Sequence, residues 1–222
     1  MNIGKINERR RGFTLLEGVV VVFVLALVAL LVMAPKIELS MHEARRHTCI
    51  ANLKLMGIAA RVWEGNHDDK YPMEVPAALG GAQEMMATGN VVACFQVMSN
   101  ELSTPRILIC PQDAGHRADT NRRLDVAWAR LSRTNISYFI GLDAVESDPQ
   151  AMLSGDANLV QHGRVVGSGI VDLTTNITTW TTDRHGRTGF VLIADGSVQG
   201  FWRMGSTNTG GWYAPTNRVV AP

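Results

Sequence analysis

The stretch RRRGFTLLEGVVVVFVLALVALLVMA, residues 9–34, decides how the rest of the chain is read. From Gly18 to Ala34 there are 17 consecutive residues without a charge or a strong hydrogen-bonding side chain. Counted from Phe13, the segment makes a helix of about 33 Å at 1.5 Å per residue, enough to cross the hydrocarbon core of a bilayer. Arg9, Arg10 and Arg11 precede it, and basic side chains at the start of a span hold that end in the cytoplasm. The chain beyond the span is then expected outside. Glu17 does not suit an inert anchor: an acid in lipid costs up to about 3 kcal/mol at a helix centre, less near the interface, and calls for a partner. A removed secretory signal is an alternative, but its apolar core is shorter and carries no acid. VMAPKIELS, residues 32–40, also marks a signal cleavage site poorly.

RGFTLLEGVVVV, residues 11–22, resembles the leader-cleavage motif of type IV pilins and type II secretion pseudopilins. The resemblance implies that a membrane aspartyl peptidase cuts between Gly12 and Phe13 and that the new amino terminus, Phe13, is N-methylated. It also implies that Glu17, the fifth residue of the mature chain, meets the amino-terminal amine of a neighbouring subunit during filament assembly. That role answers the physical question, because assembly brings a cation to the buried carboxylate and a subunit without one is disfavoured. Gly12 allows a peptidase close approach to the backbone. Pro35, near the end of the span, is placed to remove one helix hydrogen bond and bend the rod.

The chain has 222 residues and a net charge of +1, room for one substantial domain plus extra segments. Its charges are unevenly placed. Residues 1–12 carry a net +3, residues 36–63 a net +3, and residues 64–222 a net −4. A mildly acidic bulk domain argues against a nucleic-acid partner, which needs a clustered basic face. Arg122, Arg123, Arg130 and Arg133 are the exception and read as a solvated face. The contrast between acidic head and basic stem suggests charge complementarity between subunits.

KIELSMHEARRHTCIANLKLMGIAARVW, residues 36–63, continues the helix. Cys49, Leu53, Met56, Ala60 and Trp63 are spaced 4-3-4-3 and form one face, expected to be buried by the globular domain. His42 and His47 are five residues apart and do not share a face as i, i+4 ligands would. The helix is expected to end within EGNHDDKYP, residues 64–72.

In the head, AALGGAQEMM and ACFQVMSNEL read as short helices, and RILICP, ISYFIGL and GFVLIADGSVQGFW as strands. Asp195-Gly196 suits the tight turn of a hairpin between Phe190–Ala194 and Ser197–Phe201. GDANL, residues 155–159, and DRHGRTG, residues 183–189, read as loops. The organisation is thus a basic leader at 1–12, a transmembrane helix at 13–35, an amphipathic stem at 36–63 and a globular head at 64–222. The fold class is α+β, a pilin-like lollipop with a long amino-terminal helix packed on a small antiparallel sheet.

A second resemblance covers the head. CIANLKLMGIAARVWEGNHDDKYP (49–72), ICPQD (109–113), GDANL and HGRTGFVLIADGSV (185–198) are similar to pilin-type proteins abundant in planctomycetes and verrucomicrobia. Their tail is recognised by a histidine, nine residues and Asp-Gly, here His185 with Asp195-Gly196. Annotation of that family ties the tail to prepilin processing, but no mechanism follows from the residues. His185 and Asp195 flank one strand, roughly 30 Å apart if it is extended, so they are not expected to form a catalytic pair. Turn chemistry explains Asp195, and a satisfied loop histidine explains His185.

Of the three cysteines, Cys49 and Cys110 fall within the family-like stretches. A bridge between them would staple sheet to helix and contribute roughly 2–4 kcal/mol, leaving Cys94 unpaired; the alternative is two buried thiols. No cofactor is expected. Some pseudopilins bind calcium in a late loop, and Asp156, Asn158 and Asp183 are oxygen ligands of the hard kind it takes, though no dense Asp/Asn loop is present.

No G-x-S-x-G elbow, H-E-x-x-H helix or P-loop is present, so a structural role is expected rather than an enzymatic one. The sequons at Asn135 and Asn176 carry no meaning without a glycosylating compartment. The expectation is a pilin-like subunit of a type IV pilus or a type II secretion pseudopilus, in the inner membrane with its amino terminus cytoplasmic and its head periplasmic. Its partners would be like subunits, prepilin peptidase, the inner-membrane assembly platform and lipid. The alternative is a binding or enzymatic ectodomain held by a single anchor, which has no use for Glu17.

Overall fold

The computed structural model describes residues 14–118, 123–174, 177–204 and 218–222. The expected cleavage site, Gly12–Phe13, lies outside the described residues, as does Arg122. The chain divides into two units, one up to Glu43 and one from Ala44 to Pro222. One helix, α1 (Leu15–Glu64, 50 residues), begins in the first and ends in the second.

In the first unit α1 starts behind Thr14, whose hydroxyl accepts the Glu17 N–H at 3.3 Å. Its carbonyl accepts the Gly18 N–H at 3.1 Å. The T-x-x-E spacing is that of a helix start, in which a side-chain oxygen satisfies a backbone donor that has no partner inside the helix. From Leu15 to Met33 every residue is exposed, and all but Glu17 and Gly18 carry apolar side chains. Valine is a modest helix former in water. In lipid, a helix is the conformation that satisfies every backbone group within one segment. The helical backbone runs unbroken through Pro35.

In the second unit the 4-3-4-3 face is buried: Cys49 and Leu53 are fully enclosed, and Met56, Ala60 and Trp63 are no more than 3% exposed. The opposite face, with Leu55, Ile58 and Val62, remains exposed. α1 stops at Glu64, ahead of two residues with positive φ, Asp68 and Asp69.

The stripe packs on a six-stranded antiparallel sheet. Its strands are β1 (Tyr138–Gly141), β2 (Met152–Asp156), β5 (Gly169–Asp172), β7 (Gly189–Ile193), β8 (Val198–Phe201) and β9 (Arg218–Ala221). Their order is β5-β9-β1-β2-β7-β8. A second, three-stranded sheet of β3 (Leu159–Gln161), β4 (Arg164–Val165) and β6 (Thr178–Trp180) has the order β4-β3-β6. Strand alternation sorts the large sheet into two faces. Tyr138, Ile140, Leu153, Phe190, Leu192 and Val220 join the core with the helix stripe. Phe139, Met152, Val191, Ile193, Val219 and Ala221 join a second core with Leu159 and Trp180. This is why β1, β2 and β7 are buried at every position. The Phe139 ring lies over its cross-strand partner Gly155, where an added Cβ would sit 2.6 Å from it.

The expected short helices are found as α2 (Gln83–Ala87), α3 (Val91–Val97) and α4 (Ser99–Leu102). The expected hairpin is β7–β8, with Gly196 at φ 86° in its turn and the Arg61 guanidinium donating to the Ala194 carbonyl at 2.6 Å.

Two expectations need correction. RILICP is not a strand: Pro105–Leu108 is a 3₁₀ turn with Thr104 accepting the Arg106 N–H. Proline sets the first-turn backbone angle there, while Leu108 and Cys110 are still fully buried. GDANL is not one loop, because Gly155 and Asp156 end β2 and Leu159 begins β3. A further helix, α5 (Leu124–Ala129), was not foreseen.

Candidate functional site

Two places in the chain hold chemistry that the packing of a core does not explain. The first is the start of α1. Glu17 is exposed, one turn into a helix whose surroundings are apolar on every side. Among the described residues no ion pair reaches its carboxylate. The helix is long and apolar enough to cross a membrane by length and composition.

The second is a group of four side chains inside the head. Tyr138 and Asp156 are cross-strand partners and so share the face turned to α1. There Cys49 brings its sulfur 3.0 Å from the Tyr138 hydroxyl and 3.6 Å from Asp156 Oδ1. Cys110 follows the 3₁₀ turn, at a position where its carbonyl accepts the Asp113 N–H. His185 lies in the turn before β7 and points Nε2 to within 3.3 Å of Cys110 Sγ and 3.7 Å of Asp156 Oδ2. One ligand-type atom from each of Cys49, Cys110, Asp156 and His185 lies within 4.8 Å of all the others. The His185 side chain is 1% exposed and that of Asp156 is fully enclosed.

The surrounding groups hold this cluster in place. Phe190 donates its backbone N–H to Asp156 Oδ2 at 2.9 Å, and its ring meets His185 edge-on at 5.0 Å. The guanidinium of Arg46, on α1, lies 4.9 Å from the centre of the same ring. Arg184 is buried beside the group. It pairs with Asp113, donates to the Ser137 carbonyl at 2.6 Å and lies 4.0 Å from Asp156 Oδ1. Asp113 also accepts from the Ser137 hydroxyl at 2.7 Å and contacts His116 at 2.8 Å.

Burial pushes the Asp156 carboxyl up to about 6, against the opposing pull of His185. Cys110 is held down at about 5 by its hydrogen bond with Cys49, against burial and with help from His185. Cys49 moves the other way, raised chiefly by the same bond and by burial. Burial works against ionised Asp113, but Arg184, Ser137 and His116 outweigh it and hold the carboxyl below its usual range.

A Cys–His–Asp trio suggests nucleophilic catalysis, but the geometry argues otherwise. In a triad the nucleophile and the orienting acid use different ring nitrogens. Here Cys110 and Asp156 both approach Nε2, and buried Nδ1 has no hydrogen-bond partner among the described residues. Cys110 is also fully buried, out of reach of a substrate.

The other residues singled out in the sequence fall as follows. Cys49 and Cys110 are brought together as free thiols rather than bridged, and Cys94 is a separate buried thiol raised to about 12 by burial. Asp195 is exposed and accepts the Ser197 N–H at 2.7 Å, the turn role expected for it. His185 does not contact Asp195; its acid is Asp156. Of the calcium candidates, Asp156 is committed to the thiol cluster. Asn158 and Asp183 line a surface cleft of about 350 Å³, where Asn158 donates to the Thr181 hydroxyl at 2.9 Å. Arg123 pairs with Asp125, and Arg133 is tied to Ser168 and the Gly89 carbonyl.

No curated protein and no solved structure matches the chain. Residues 8–33 match the family model of the prokaryotic N-terminal methylation motif, which supports a type IV pilin-like precursor with a structural role.

Proposed function

We propose that this chain is the precursor of a pilin-like filament subunit, cut between Gly12 and Phe13 and methylated at Phe13. The subunit joins a type IV pilus or a type II secretion pseudopilus through α1. The observation that carries this reading is Glu17 within a helix that is apolar and exposed on all sides from Leu15 to Met33. Before assembly, lipid covers that surface and the head lies outside the cytoplasmic membrane. In the filament, neighbouring helices cover it, and the methylated amine of the next subunit neutralises Glu17. Removal of the leader by prepilin peptidase creates that amine, so processing and assembly are linked by a single charge. The partners are further subunits of this kind, the peptidase, the assembly platform and membrane lipid. The head serves as the exposed body of the subunit and performs no catalysis.

The test is intact mass and amino-terminal sequencing of the protein from membranes, with and without prepilin peptidase. A chain beginning at methylated Phe13 only when the peptidase is present is expected. A full-length chain under both conditions would leave a membrane-anchored ectodomain and end the filament reading. A chain beginning beyond Ala34 would identify a removed signal and leave Glu17 without a role.

A further inference from the structure

We propose that Cys49, Cys110, Asp156 and His185 bind one zinc ion, which fastens the stem helix to the head. The inference does not depend on filament assembly. It starts from the convergence of four donor atoms on one small space. A tetrahedral zinc with bonds of about 2.0–2.3 Å sets its donors roughly 3.3–3.8 Å apart. Three contacts fall in that range: 3.3 Å from Cys110 Sγ to His185 Nε2, 3.6 Å from Cys49 Sγ to Asp156 Oδ1 and 3.7 Å from His185 Nε2 to Asp156 Oδ2. The two Asp156 contacts reach different oxygens of its carboxylate, and one donor atom from each of the four residues lies within 4.8 Å of the others, a space that small shifts of the side chains close around one ion.

The donor chemistry selects the metal class. Two sulfurs and an imidazole exclude calcium and magnesium, which take oxygen, and a mixed S, N and O set suits borderline-soft zinc. Two thiolates, one carboxylate and a neutral imidazole around a divalent cation leave a net charge of −1, beside the buried Arg184 guanidinium. Supporting bonds to the ligands are in place: the Tyr138 hydroxyl to Cys49, the Phe190 N–H to Asp156 and the Gln112 N–H to Cys110. Such outer contacts orient metal ligands and tune their basicity. Both cysteines bind as thiolates, so any thiol proton they carry leaves for solvent on binding. All four positions are filled by protein in a closed interior, the mark of a structural zinc with no open position for a substrate.

The ligands come from α1, the turn after residues 105–108, the end of β2 and the turn before β7. One ion therefore ties together four segments far apart in sequence. It also gives His185 a purpose that the turn does not.

The experiment is metal analysis of the full chain, purified in detergent without chelator, together with its intact mass under non-reducing conditions. About one zinc per chain is expected, with both thiols retained in the mass. Cys49→Ser, Cys110→Ser and His185→Gln should each drop to background zinc, while Cys94→Ser keeps the ion. Should the ligand variants fail to fold, exchange of cobalt into the unmodified chain decides: tetrahedral thiolate-to-metal absorption is expected. A mass lower by two hydrogens with background zinc would overturn the proposal in favour of a Cys49–Cys110 bridge. So would zinc that persists in folded ligand variants, or a cobalt spectrum without thiolate bands.

Discussion

From Leu15 to Met33 the helix turns apolar side chains outward in every direction and exposes a carboxylate among them. From Ala44 onward the same helix turns its apolar stripe inward, and the carboxylates that lie inside are held by partners of the same chain. Glu17 and Asp156 are both acids where water is scarce, and they are handled in opposite ways. Asp156 has its partners supplied by folding: the Phe190 N–H, Cys49, His185 and Arg184. Glu17 has none within the described residues, so on the proposed reading its partner arrives with the next subunit. An acid partnered within the fold is settled inside one molecule, whereas on the proposed reading an acid left open specifies an encounter.

The strongest way to break this comparison is Glu17→Val. Incorporation into filaments should fall to background, measured by immunoblot of the sheared filament fraction, while leader cleavage continues. The head should be unaffected, with stability within about 0.5 kcal/mol because no contact there is lost. If Glu17→Val assembles normally, the contrast between the two acids fails.

Next comes Asp113→Asn. It removes the nearer of the two carboxylates beside buried Arg184 and should destabilise the head by about 3–5 kcal/mol, read from denaturant unfolding of the detergent-solubilised chain. The pH dependence follows from the same group. The folded carboxyl is held below its unfolded value of about 3.9. Its contribution is therefore present above that value and lost as the pH falls through the lower folded one. The stability difference between wild type and Asp113→Asn should shrink on acidification below about pH 4. A constant difference would mean that Asp113 acts by shape alone.

The two faces of α1 sharpen the contrast further. Leu53→Ala opens a cavity in the enclosed stripe and should cost about 2–5 kcal/mol. Ile58→Ala, on the exposed face, should stay within about 0.5 kcal/mol in the isolated subunit. An effect between these two is expected at the hairpin tip. Gly196→Ala forces a side chain into a left-handed conformation, at about 1–2 kcal/mol.

Much of this architecture was legible in the chain. The long helix announces itself by an apolar run of membrane length followed by a 4-3-4-3 stripe, and both signals are local. The β7–β8 hairpin was legible because Asp-Gly between apolar stretches demands a tight turn. RILICP misled because a short apolar run has no period of its own and only says that it is buried. The buried cluster was harder to find, because its members lie 49, 110, 156 and 185 residues along the chain and converge only through sheet register. Reading Cys49 with Cys110 brought half of it together. Asp156 was hidden by the loop-like composition of GDANL, and His185 by the turn in which it sits. Two cysteines and a histidine in segments of one head domain were the available signal.

The enclosed stripe from Cys49 to Trp63 runs about 21 Å along α1, and the helix reaches it without interruption from Leu15. A pull on α1 from Ala44 onward is therefore carried along the helical backbone into the core. The contacts of the stripe are loaded together in shear rather than peeled apart one at a time. Under tension the subunit is built to hold up to a sharp limit, and the force that frees the helix is the force that opens the head.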